Sequence, residues 1–285
     1  MIAEPEHGAR LGAAAAAWAD SRRVRVGEWE VRYFEAGEGP VVVLVHGLGV
    51  SADYWIRNGP PIAAAGFRVL APDLPGFGRT EGPEGGLSIV EQARALAAWA
   101  DALALGPATY AGHSLSCQSV IELAVREPAR VRALVLIGPT GDPSPGRLPK
   151  QAWRLFLDAW REPWKLLAIV GMAYLRAGPT RVWKTWRKGA EHDPLARLPR
   201  VRVPGMVVVG TRDPVVERDF ARRLTAGLPG GRLVWIEGAS HAAQFDCAEE
   251  FNEEVIRFLR SLESAPRDAR RSPTPAAGEG SRGGP

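Results

Sequence analysis

The chain has 285 residues, 46% of them hydrophobic and 24% charged, an ordinary globular composition with length for one or two domains. Two cysteines, Cys117 and Cys247, exclude a disulfide framework and a Cys-based zinc site, and no run approaches the roughly 20 apolar residues that a membrane span needs. The formal net charge of +4 is too small an excess to imply nucleic acid.

The chain opens on an apolar, Ala-rich run over 11–19, preceded by Glu4, Glu6 and Arg10. A secretory signal needs a basic start before its apolar core, so residues 1–20 read as a flexible, frayed helical leader and the protein as cytoplasmic. Residues 24–26 and 29–34 form a predicted strand pair that turns at Gly27 and Glu28. Short apolar runs follow at 41–45, 67–71, 108–111, 133–137, 206–209 and 233–236. Mainly apolar, β-branched-rich runs of that length suit strands buried on both faces. Helical periodicity over 89–103, 114–126, 217–228 and 248–262 separates them. The alternation predicts an α/β fold, a mostly parallel central sheet flanked by helices with right-handed crossovers. Its core is expected over 21–138 and 205–263.

Residues 139–204 break the alternation and read as a helical insertion, or cap. Pro163 and Pro179 mark predicted helix starts, Gly178 and Gly189 predicted ends. The segment carries thirteen Lys and Arg against five acids, every lysine of the protein, and five of its ten tryptophans. Trp153, Leu155, Phe156, Trp160, Trp164, Leu166 and Leu167 have the spacing of amphipathic helices. Their apolar face is expected either to pack on the core or to roof an apolar pocket. The basic excess would then lie outside, where it favours anionic or carrier-linked substrates. Residues 264–285, mostly Pro, Gly, Ser, Arg and Ala, read as a disordered tail.

Three separate strand ends carry chemistry. Gly112-His113-Ser114-Leu115-Ser116 runs from a strand through a tight turn into a helix, which pushes the Ser114 hydroxyl out above the sheet. A serine hydroxyl needs a base to take its proton, and the base needs an acid to orient it. Of the five histidines, His241 lies just past the last strand, on a loop before the final helix. Asp213 follows strand 206–209, at the sheet end where sites of open α/β folds gather; Asp246 is a weaker substitute acid. The order Ser114, Asp213, His241 is the triad order of one fold family.

On these residues, on His46-Gly47-Leu48-Gly49 after the first long apolar strand, and on Asp73-Leu74-Pro75-Gly76-Phe77-Gly78, the chain resembles the α/β-hydrolase superfamily from about Val24 to Leu262. The resemblance implies catalysis by Ser114, Asp213 and His241. It further implies an oxyanion hole from the backbone N–H groups of Leu48 and Leu115, a supporting loop of His46, Gly47, Gly49 and Gly112, and a cap over 139–204. Ser116 departs from the glycine of the pattern and predicts local strain. Superfamily members that place Asp at the elbow dehalogenate alkanes or open epoxides. Serine leaves acyl transfer to water, from carboxylic esters first, with the C–C bonds of vinylogous diketones as the alternative.

Two other readings compete. Gly47-Leu48-Gly49-Val50-Ser51-Ala52, with Asp73 downstream, matches a dinucleotide-binding fingerprint and would make an oxidoreductase. A hydrolase-fold protein that only binds ligand is the other, since fold does not fix function. The triad reading needs a small-molecule acyl substrate and calls for no cofactor, metal or nucleic acid. The residues set no oligomeric state.

Overall fold

A computed structural model describes residues 4–142 and 164–264. Helix α1 (Glu4–Ala19) leads into the strand pair β1 (Arg22–Val26) and β2 (Trp29–Ala36). β3 (Val41–Val45), a 3-10 turn at Ala52–Trp55, α2 (Gly59–Ala64), β4 (Arg68–Pro72), α3 (Ile89–Ala102), β5 (Ala108–His113), α4 (Ser116–Arg126) and β6 (Val131–Ile137) follow. Next come α5 (Trp164–Ala177) and α6 (Pro179–Ala190), then β7 (Gly205–Gly210), α7 (Arg218–Ala226), β8 (Arg232–Ile236), α8 (Ala243–Asp246) and α9 (Ala248–Ser264). The eight strands form one sheet in the order β1-β2-β4-β3-β5-β6-β7-β8. β1–β2 and β2–β4 pair antiparallel, and every other neighbour pair is parallel.

The apolar runs become strands because both faces of the sheet are covered. Val43 and Val45 of β3, Leu134 and Leu136 of β6, and Val207 and Val209 of β7 enter the core on one face. Val42 and Leu44, Val135 and Ile137, and Met206 and Val208 enter the core on the other. This is the period-two alternation of a pleated strand with no solvated side. α3 starts on a full capping box, in which Ser88 and Glu91 each accept from the other's backbone N–H, satisfying two orphan donors.

The flexible leader is corrected. α1 docks on the sheet domain: Trp18 is 1% exposed and stacks on Phe34 with ring centroids 5.5 Å apart. Its ring lies where a Cβ on Gly59 would stand, 2.3 Å away, so a glycine is required there. The helical insertion lies between β6 and β7 with no strand among its described residues. Gly178 adopts the left-handed region, φ 79°, and Pro179 opens α6 at N1 as expected. Trp153, Leu155, Phe156 and Trp160 lie outside the described residues, as do the side chains of Trp164, Leu166 and Leu167 and the tail 265–285. No helix among the described residues is long and apolar enough to cross a membrane.

Candidate active site

β5 delivers the strand–turn–helix. Ser114 sits at φ 54°, a left-handed conformation that costs a non-glycine residue free energy. The turn is held by Ser114 N–H donating to Ile137 O at 2.8 Å. α4 begins at Ser116, two residues later than the periodicity predicts, because Ser114 occupies the turn. It approaches β5 so closely that a Cβ on Gly112 would stand 2.7 Å from Ser116 O. Ser116 fits this contact rather than straining it: its hydroxyl is buried and donates to His46 O at 2.5 Å.

The three strand ends converge. His241 Nε2 lies 3.0 Å from Ser114 Oγ, and His241 Nδ1 lies 2.9 Å from Asp213 Oδ2. A carboxylate only accepts, so Nδ1 carries the proton, and the Nε2 lone pair faces the Ser114 hydroxyl. Asp213 is fixed from behind, its Oδ1 accepting from Val215 N at 2.7 Å and Val216 N at 3.2 Å. Burial opposes its ionisation, yet His241 and these two N–H groups outweigh burial and hold the carboxyl below its ordinary range. Asp246 does not reach the imidazole; its Oδ2 accepts from Ser240 N at 3.0 Å and anchors the His241 loop.

His113 was legible only as a turn residue. It is buried, and its Nε2 lies 3.2 Å from His241 O, so Nε2–H donates and steadies the His241 backbone. Burial, with the nearby His241, pushes its pKa down to about 3, so it is neutral at ordinary pH. His192 lies away from Ser114, buried against Gln118 and Glu122 of α4 at 3.0 and 3.2 Å.

The turn after β3 lies beside the elbow. A Cβ on Gly47 would stand 2.8 Å from His113 Nδ1 and 3.4 Å from Ser114 Cβ. Gly49 adopts φ 76°, and the Tyr174 ring of α5 covers the place of its missing Cβ at 2.5 Å. Gly189 at the end of α6 meets Leu115 in the same way, at 2.5 Å. Among the described residues, neither the Leu48 nor the Leu115 N–H donates to a protein acceptor. Arg181 of α6 holds the insertion to the loop after β4, donating to Gly76 O at 3.0 Å and Pro83 O at 3.2 Å.

The dinucleotide fingerprint is corrected. The residues after Gly49 form a single 3-10 turn rather than a long helix, so no helix N-terminus faces a pyrophosphate. Asp73 is fully buried. Its Oδ1 accepts from Ala52 N at 2.7 Å, and its Oδ2 from Arg79 N at 2.8 Å and Arg32 at 3.1 Å. A carboxylate so committed has no face for a ribose.

Comparison with known proteins agrees with this architecture. The 2-hydroxy-6-oxo-6-phenylhexa-2,4-dienoate hydrolase of Comamonas testosteroni is 28% identical, over 81% of this chain and 91% of that protein. The 2-hydroxy-6-oxononadienedioate/2-hydroxy-6-oxononatrienedioate hydrolase 2 of Pseudomonas putida is 30% identical, over 84% of this chain and 95% of its own length. A thermophilic esterase from Thermogutta terrifontis superposes with a TM-score of 0.75 at 19% identity, covering 86% of this chain and all of that one, 100%. The Alpha/beta hydrolase family model matches residues 42–254, which take in the sheet from β3 onward, the elbow and all three converging side chains. The chain belongs to the alpha/beta hydrolase family.

Proposed function

We propose that this chain is a serine hydrolase in which Ser114 is the nucleophile, His241 the proton carrier and Asp213 the group that orients and stabilises His241. The observation that carries the proposal is the continuous relay from Asp213 Oδ2 through both imidazole nitrogens to Ser114 Oγ, at 2.9 and 3.0 Å. A serine with a positioned base and an oriented imidazole is the arrangement that activates a hydroxyl. A protein that only bound ligand would have no use for it.

Attack on a carbonyl carbon moves the Ser114 proton to His241 Nε2 and leaves negative charge on the carbonyl oxygen. The free N–H groups of Leu48 and Leu115 receive that charge. His241 then returns the proton to the leaving group, and water repeats the sequence to release the acyl group.

The substrate class we propose is a vinylogous diketone, cleaved at a C–C bond. Relatives matched over more than four fifths of the chain are named for hydrolysis of 2-hydroxy-6-oxo-dienoates. In the keto form of such a compound, attack at C6 breaks the C5–C6 bond. The electron pair delocalises through C3–C4 onto the C2 oxygen, so carbon leaves as a stabilised dienolate. Carboxylic ester hydrolysis, the broader expectation from the sequence, rests on the fold alone. The test is a panel of aryl esters and 6-oxo-dienoates assayed on the wild type and on Ser114→Ala. Loss of dienoate consumption in Ser114→Ala, with esters turned over at least tenfold more slowly by the wild type, supports the proposal. Rapid ester turnover with untouched dienoates refutes the substrate class. Fluorophosphonate labelling that survives Ser114→Ala refutes the nucleophile.

A further inference from the structure

The elbow and the turn after β3 meet at one hydrogen bond that the elbow packing does not require. Close approach of α4 to β5 demands only a small residue at position 116, and glycine would meet it. Serine adds a hydroxyl, 1% exposed as a residue, whose proton goes to His46 O at 2.5 Å.

What that bond joins is specific. Leu115 N lies one residue before Ser116, and Leu48 N lies two residues after His46. The bond therefore bridges the two short segments that carry these donors. The Leu48 end of the bridge is also fixed. Leu74 N–H donates to His46 Nε2 at 2.9 Å, so the proton sits on Nδ1, which donates to Gly47 O at 2.8 Å. Burial keeps this imidazole neutral against the pull of Asp73. In a planar trans peptide the C=O and N–H point in opposite directions. With Gly47 O turned to the His46 ring, the Leu48 N–H points away from it.

We propose that Ser116 is a positioning residue of the oxyanion site. Its hydroxyl sets the separation of the Leu48 and Leu115 N–H groups, and so acts on the developing oxyanion rather than on bound substrate. This rests on the function proposed above. Donors aimed at charge that exists only in the transition state change kcat and leave ground-state binding alone.

The experiment compares wild type, Ser116→Gly, Ser116→Ala and Ser116→Thr on the best substrate of the panel. A trifluoromethyl ketone serves as oxyanion mimic and a non-reactive substrate analogue as ground-state probe. Expected for the Gly and Ala variants are a kcat lowered about tenfold, somewhat less than complete loss of a donor costs, with KM within twofold. Affinity for the trifluoromethyl ketone falls by the same factor, and affinity for the analogue does not change. Threonine, which keeps the hydroxyl, restores kcat if its methyl is accommodated; glycine, the smallest replacement, decides the matter if it is not. A Gly variant with wild-type kcat overturns the proposal. So does a parallel fall in kcat, analogue affinity and melting temperature, which marks a merely structural serine. A wild type that neither labels with fluorophosphonate nor turns over any substrate overturns the functional reading and this one together. Labelling with unchanged kcat in the Gly variant overturns this one alone.

Discussion

Replacing Asp213 by asparagine tests the orientation of the base without changing the shape of the acid. The Asp213 carboxylate accepts three hydrogen bonds, one from His241 and two from Val215 N and Val216 N. An amide has one accepting end and one donating end. If its oxygen faced His241, the NH2 would face two buried N–H donors, and leaving buried donors unpaired costs about 1–3 kcal/mol each. The substituted amide is therefore expected to turn its oxygen to the backbone and its NH2 to the imidazole. His241 Nδ1 must then accept, the ring proton moves to Nε2, and Nε2 has no lone pair for Ser114. The expected loss in kcat/KM for Asp213→Asn is about 10³–10⁴, which is about 4–5.5 kcal/mol of transition-state stabilisation. The two backbone donors behind Asp213, which set this orientation, are invisible in sequence. The assay is the second-order rate of fluorophosphonate labelling, which needs no knowledge of the substrate, with 15N spectra of His241 to read the tautomer. Labelling within threefold of wild type, or a proton still on Nδ1, would refute the reasoning.

Trp18→Ala removes a buried, stacked ring from α1 and should destabilise the protein by about 3–5 kcal/mol, read from the midpoint of urea unfolding; a loss under about 1 kcal/mol would mean that α1 does not dock. His46, His113 and His192 all have pKa values lowered first by burial. The unfolded chain then binds more protons below about pH 6.5, so stability should fall as pH drops from there; His113, with its pKa at about 3, contributes up to roughly 1.4 kcal/mol per pH unit down to that point, and His46 and His192 act in the same direction. His113→Gln should flatten that slope in a pH series of urea melts, and an unchanged slope would remove His113 from the account. The basic excess of the insertion is best tested at Lys184 and Arg187, since Lys188 already donates to Gly86 O at 2.8 Å. Reversing both to Glu should lower kcat/KM for an anionic dienoate at low salt and abolish its salt dependence, while a neutral ester is unaffected; equal salt responses before and after would leave these charges without a role in substrate approach.

What could be read from the residues was local or periodic. Runs such as Val41–Val45 announce doubly buried strands because a sheet covered on both faces needs apolar residues at every position. Ser114, Asp213 and His241 were legible because each closes a strand, and the ends of parallel strands meet. What escaped depends on contacts between distant segments. Trp18 is buried only because Phe34 and Gly59 come to it. Asp73 could pass for a ribose ligand until Arg32, Ala52 and Arg79 are seen to occupy it. Ser116 read as an imperfection of the elbow because its acceptor, His46 O, lies 70 residues earlier in the chain.

β1 is one of the two edge strands of the sheet, and three of its five residues are Arg22, Arg23 and Arg25. A free strand edge is a template on which another chain can add by backbone hydrogen bonds, the first step toward fibrils. Antiparallel addition of a second copy through β1 would bring arginines against arginines across the new ladder, where like charges directly opposite are destabilising. The same guanidinium groups cost little at home: Arg22 pairs with Glu35, and Arg25 donates to Gly27 O. The sheet is thus open in topology but closed to self-extension along this edge, and concentrated protein should lose that protection first where salt screens the arginines.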